Sequence, residues 1–193
     1  MSVRDRITLT GTENNIEATT ASPWAARSLA VLRIATGLIF LWAFADKLFG
    51  LGYATPAERA WLNGGSPTQG FLGHVSVGPF ESTFQSWAGA AWADWLFMLG
   101  LGAIGIAAIA GIGLRLAAGS ATVMMLLMWA AEWPLDQTTS AGEPSGSNNP
   151  LVDYHLIYAI ALIACAAAYA GRTWGLGRIW EKLPIVNSNP WLK

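Results

Sequence analysis

Leu96-Phe-Met-Leu-Gly-Leu-Gly-Ala-Ile-Gly-Ile-Ala-Ala-Ile-Ala-Gly-Ile112 contains no charged residue and no polar side chain. A helix at a protein–water surface needs a polar face, and this stretch has none. Its length is close to the ~20 apolar residues that carry a helix across the hydrocarbon core of a bilayer. Leu156 to Gly171 is likewise free of charge. Taken with their flanks, these runs and two others give four apolar stretches, at 28–50, 92–113, 116–134 and 152–171. The expected fold is all-α: a four-helix transmembrane bundle. Only 12% of residues are charged and 53% are hydrophobic, whereas soluble domains carry about 25% charged residues.

The basic residues orient the expected bundle. Four spans put both termini on one side. Arg4, Arg6, Arg27, Arg115, Arg172, Arg178, Lys182 and Lys193 fall on that side, in the tails or the tight connection near Gly113. Lys47 and Arg59 fall on the other, and Arg33 lies inside the first span. The positive-inside rule then places both termini in the cytoplasm of a cell-membrane protein. Nothing in the chain combines a basic patch with interleaved aromatics, so no nucleic-acid partner is indicated.

Residues 1–22 are polar and lack the basic, apolar, small-residue order of a signal peptide. They read as a flexible cytoplasmic tail, and 174–193 reads as a cytoplasmic C-terminal tail. The membrane domain is expected over 23–173. The one cysteine, Cys165, lies mid-span, which excludes an intrachain disulfide or a cysteine metal site. Its packing role is the plain reading.

The connection 51–91 is too long for a simple link. It holds Trp61, Phe71, Leu72, Phe80 and Phe84, which a solvated linker would not. We expect a structured outer loop between the first and second helices, acting as a lid or a structural cap. Ser66-Pro67 marks a short helix start within it. The third helix should end at Trp133-Pro134. Asn149-Pro150 should open the fourth.

Eleven tryptophans are many for this length. Interfacial anchoring accounts for most, while Trp42, Trp129 and Trp133 are also suited to line a pocket for a flat apolar ligand. Small residues such as Gly100, Gly102, Gly105 and Ala108 thin the second helix for close packing, within the bundle or in a homo-oligomer.

Ionisable residues at membrane depth point most directly to function. Arg33, Gly37, Phe40, Phe44 and Lys47 share one helical stripe. Arg33 either faces the bundle or snorkels to the headgroups. Asp46, Lys47, Asp94, Glu132, Asp136, Asp153 and His155 come from all four helices and lie at one level. Asp153 suits a helix N-terminus. His155 should point nearly opposite it, as a proton carrier near neutral pH or as a structural histidine. The spacing reveals no metal, haem or flavin motif.

Arg33-Ile-Ala-Thr-Gly37, Asp46-Lys-Leu-Phe-Gly50, Trp61-Leu-Asn-Gly-Gly-Ser-Pro-Thr-Gln-Gly-Phe-Leu72, Gly78-Pro-Phe80 and Asn149-Pro-Leu-Val-Asp-Tyr-His155 resemble the DoxX/DoxD membrane family. The match is to its DoxD-type branch and covers about residues 28–172. The resemblance implies four spans and quinone-linked redox work, as in the large subunit of thiosulfate:quinone oxidoreductase. It also implies a small partner subunit. Under that expectation His155, Glu132, Asp153 and Lys47 are the catalytic candidates. Trp42, Phe44, Trp129, Trp133 and Arg33 would contact the quinone. A non-catalytic anchor of a redox assembly is the other reading. A transporter ranks last, because interrupted helix pairs and an internal repeat are missing.

Overall fold

Residues 22–192 are described by a computed structural model. The expected N-terminal tail lies outside the described residues except for Ser22, as does Lys193. Among the described residues the chain is all-helical, and its one β-type pairing is an isolated bridge between Thr138 and Pro144. Among these residues eight α-helices occur: α1 Pro23–Phe49, α2 Gln69–Leu72, α3 Glu81–Trp87, α4 Ala91–Ala110, α5 Leu114–Glu132, α6 Tyr154–Ala167, α7 Gly177–Trp180 and α8 Pro184–Asn187.

α1, α4 and α5 are long and apolar enough to cross a membrane. α6 is apolar but has 14 residues, about 21 Å at 1.5 Å per residue. The expected helix over 152–171 is therefore too long at both ends. Asp153, rather than Asn149, caps its start. Asn149 instead accepts hydrogen bonds from the backbone N–H of Leu151 and Val152, holding an extended turn. At the other end Tyr169 adopts φ 51°, which breaks the helix before the 3-10 turn Ala170–Arg172. α5 stops at Glu132, where Trp133 before Pro134 takes φ 36°. Pre-proline sterics exclude continuing α-helix there.

The four longest helices form a ring in which α1 packs on α4 and α6, and α5 packs on α4 and α6. Glycine sets the α1–α4 distance. A Cβ on Gly37 would lie 2.9 Å from Ala108 Cβ, and one on Gly105 would lie 2.7 Å from the backbone N of Leu41. Gly102 sits against the Phe44 ring. Phe40, Leu101, Ile104, Ala121, Met125 and Leu162 fill the interior.

Arg33 closes the end of the ring that carries the chain termini. It is fully buried, so the bundle-facing alternative holds and the snorkelling one does not. Nη1 donates to the Ala108 and Ile109 carbonyls, and Nη2 to those of Thr173 and Trp174, at 3.2 and 3.0 Å. Residues 174–192 pack against the bundle. Leu176 N donates to Ala110 O, Trp180 Nε1 to Leu192 O, and Val186 is fully buried. Arg115 donates to Pro190 O and Tyr169 Oη.

At the other end the segment between α1 and α4 is a built cap. Besides α2 and α3 it contains two 3-10 turns, Ala57–Arg59 and Trp61–Asn63. Val75 and Phe84 pack with Ala131 of α5. T-shaped ring pairs such as Trp61–Trp95 and Trp87–Trp92 tie it to α4.

Gly105→Leu should destabilise the protein by about 1–3 kcal/mol or more through overpacking, read as earlier thermal unfolding in detergent. Arg33→Leu should lose charge-assisted hydrogen bonds worth about 1.5–3 kcal/mol each in favourable cases. Arg33→Lys should fail to restore stability, because an ammonium cannot span two pairs of carbonyls as the guanidinium fork does. Unchanged proteolytic protection of 173–175 in Arg33→Leu would show that the clamp does not hold this segment.

Candidate functional site

Seven ionisable residues were expected at one level, and the structure divides them by what they bind. Asp46 is buried, and its carboxylate accepts from Tyr53 N and Ala54 N at 3.2 and 3.0 Å. Asp94 is also buried and accepts from Ser66 Oγ, Thr68 N and Thr68 Oγ1 at 2.9, 2.9 and 2.6 Å. Asp136 accepts from Gly78 N. These three carboxylates hold the cap by binding its otherwise unpaired donors.

Glu132, Asp153 and His155 come together at the ends of α5 and α6. His155 Nδ1 lies 2.8 Å from Asp153 Oδ2 and 3.9 Å from Glu132 Oε2. The helical-wheel expectation that Asp153 and His155 point apart is corrected. Asp153 is the N-cap and has extended backbone, φ −119° and ψ −174°, so helical periodicity does not govern its side chain. Its Oδ1 accepts from the N–H groups of His155 and Leu156. Its Oδ2 remains for the imidazole. Nδ1 and Oδ2 share a single hydrogen bond.

Tyr154 completes the group, donating from Oη to Glu132 Oε1 at 2.8 Å. Sequence reasoning gave it no role, although it stands between two residues it selected. Each carboxylate thus has one oxygen held by a neighbour and the other directed toward His155. Glu132, Asp153 and His155 each offer a ligand atom, and these atoms lie within 4.8 Å of one another. One imidazole and two carboxylates can hold a divalent cation of the zinc or iron type, a set that sequence spacing did not reveal.

The group opens into a chamber of about 460 Å³ beneath the cap. Glu132, Asp153 and Tyr154 line it with Phe71 and His74 of the cap and Asn149 of the α5–α6 loop. His155 is fully buried behind it. Two buried ring nitrogens, His155 Nε2 and Trp129 Nε1, have no hydrogen-bond partner among the described residues.

The remaining sequence candidates are distributed elsewhere. Trp129 and Trp133 adjoin Glu132 along α5, with ring centroids 5.7 Å apart. Trp133 also packs edge-on to Phe80 of the cap. Trp42 is half exposed and pairs with Tyr53. Phe44 packs on Gly102 in the interior. Lys47 is half-buried and does not line the chamber. Arg33 is bound to carbonyls at the termini end, away from the group. Wheel position placed these residues on shared faces but could not specify which neighbouring element each face meets.

Asp153→Ala should cost about 1 kcal/mol through loss of the N-cap. Asp153→Asn should keep stability within about 0.5 kcal/mol, because asparagine caps as well as aspartate. Thermal unfolding of the pair separates the capping role from the histidine contact. Equal stability of Ala and wild type would remove the cap from the account.

Comparison with family models, curated proteins and solved structures found no match to this chain.

Proposed function

We propose that the chain is a membrane subunit of a quinone-linked oxidoreductase, with thiosulfate or a related reductant as the electron source. The supporting observation is the Asp153–His155–Glu132–Tyr154 group, which faces a chamber at the membrane-cap end of the helices. Quinone reduction consumes two electrons and two protons. The group supplies the proton part. Each proton passes to a quinone oxygen from a protonated carboxyl on the chamber wall, Asp153 or Glu132, which takes its replacement from the aqueous phase through the chamber; His155 Nδ1 shares a hydrogen bond with Asp153, and Tyr154 Oη holds Glu132 in place. General acid–base groups of this kind work by hydrogen-bond reach and a suitable pKa.

In this reading all four long helices enter the bilayer, with both termini in the cytoplasm of a cell-membrane protein and the cap outside. The basic residues support that orientation. Electrons arrive from a reductant presented at the cap by a small partner subunit. The chain's single cysteine is buried in α6, so a dithiol relay within one copy is not available to it. The second reading, a non-catalytic anchor for a redox assembly, is favoured by the three carboxylates committed to building the cap, which gives a partner a fixed docking surface. The small-residue faces also suit a homo-oligomer.

His155→Ala and Glu132→Gln should each lower quinone-linked turnover by about a hundredfold or more, the usual scale for a general acid or base. Turnover is measured with a short-chain quinone in membranes containing the native partners, at matched protein levels. Full activity in both variants, with the assembly still dependent on this chain, would establish the anchor reading instead.

A further inference from the structure

A second and larger cavity, about 720 Å³, is a groove along α4 and α5. Trp92, Phe97 and Ile104 line it from α4, and Leu116, Val123 and Met128 from α5. Among the described residues, Arg115 is the one charged side chain on its lining. The groove is thus apolar over its length and carries a positive charge where α5 begins, at the end of the bundle that holds the chain termini. From Arg115 to Met128 the helix axis advances about 20 Å at 1.5 Å per residue. One leaflet of a ~30 Å hydrocarbon core is about 15 Å deep. An acyl chain that starts at Arg115 can therefore lie in the groove for the full depth of its leaflet.

The charge of Arg115 is not matched within the protein. Its guanidinium donates to Pro190 O and Tyr169 Oη, both neutral, and lies 5.5 Å from the Tyr169 ring centroid. Arg172 lies over the same ring, but its charge is met by Glu181 at 2.9 Å. Among the described residues no carboxylate makes such a pair with Arg115. Arg115 is exposed, as is Ser120, whose hydroxyl side chain also lines the groove. Trp191, next to the Pro190 that Arg115 binds, is 57% exposed. Exposed tryptophans at the ends of membrane helices sit at headgroup level, which puts Arg115 at the depth of lipid phosphates.

We infer that the groove seats an anionic phospholipid, with its phosphate at Arg115 and one acyl chain between α4 and α5. Charge and shape select this occupant. A phosphate supplies the missing anion through charge-assisted hydrogen bonds to the guanidinium. The described lining holds no carboxylate to meet the ammonium of a choline or ethanolamine headgroup, so a net-anionic headgroup is preferred to a zwitterionic one. Gly119, one turn from Arg115, leaves room for the glycerol esters: a Cβ built on it meets nothing within 4 Å. This seat lies at the opposite end of the groove from the cap and does not depend on the quinone reading.

The test uses purified full-length protein in detergent, offered phosphatidylglycerol and phosphatidylcholine with the same acyl chains in equal amounts. Native mass spectrometry counts each lipid retained per protein. Wild type should retain phosphatidylglycerol over phosphatidylcholine by about fivefold, the scale of one basic side chain near an anionic surface. Arg115→Gln should bring the two lipids to parity, whereas Arg115→Lys, which keeps a point charge for phosphate, should hold most of the preference. Arg178→Gln removes an exposed cation of the C-terminal segment that does not line the groove, and it should leave the preference unchanged. Gly119→Phe fills groove space, so it should lower retention of both lipids while its thermal unfolding matches wild type. Equal retention of the two lipids by wild type overturns the proposal. So does an equal loss of preference in Arg178→Gln, which would make the attraction general to the basic end. Unchanged retention in Gly119→Phe overturns the placement of the chain in the groove. A dimer that Gly119→Phe dissociates overturns the choice of occupant in favour of a second copy.

Discussion

A buried guanidinium without a carboxylate partner among the described residues organises the termini end of this protein. Arg33 is fully buried, and its charge is met by four backbone carbonyls. Two belong to the last turn of α4, where unpaired carbonyls and the negative end of the helix dipole favour a cation. The other two belong to the chain just beyond α6. One side chain therefore joins the start of the bundle, the α4–α5 hairpin and the C-terminal segment. The chain makes room for it with small residues. A Cβ on Gly111 or Gly175 would come within 3.1 Å of the guanidinium nitrogens. Close approach of α1 to α4 at Gly37 and Gly105 then brings the carbonyls within reach.

The opposite end uses carboxylates in the complementary way. Asp46 and Asp94 bind backbone and hydroxyl donors of the cap, which satisfies groups that have no regular ladder to join. Asp94 holds the chain just before α2, whose Phe71 lines the chamber. Burial of an unpaired carboxylate would be costly, and several hydrogen bonds offset that cost. Carboxylates do different work at the ends of α5 and α6. Glu132 and Asp153 each keep one oxygen directed toward His155, next to space large enough for a ligand.

The two ends differ in how completely their buried polar atoms are paired. The termini end has a single rigid solution, in which every strong donor of Arg33 except Nε is used. The cap end leaves two buried ring nitrogens, His155 Nε2 and Trp129 Nε1, without partners. Buried polar groups are nearly always paired, and exceptions gather where a ligand or proton is handled. The unpaired nitrogens thus lie on α5 and α6, the helices whose ends bring Glu132, Asp153 and His155 together.

Hydropathy alone determined the all-helical fold and the long apolar elements, because an uncharged run such as Leu96 to Ile112 has no stable place in water. It also singled out Glu132, Asp153 and His155, since ionisable groups next to such runs are few. Periodicity placed Arg33 on one stripe with Gly37 and Phe40 but left open whether it faced the bundle or the headgroups. Tertiary structure decided the rest. Asp153 meets His155 only because capping geometry removes it from the helical wheel. Tyr154 joins them through a contact with another helix, which one-dimensional spacing does not encode. Asp46 and Asp94 left the group because the cap folded back onto them. The cavity lined by α4 and α5, about 720 Å³, arises from how two uniformly apolar helices pack. Uniform apolarity specifies burial in lipid or protein, but it carries no information about which face is which.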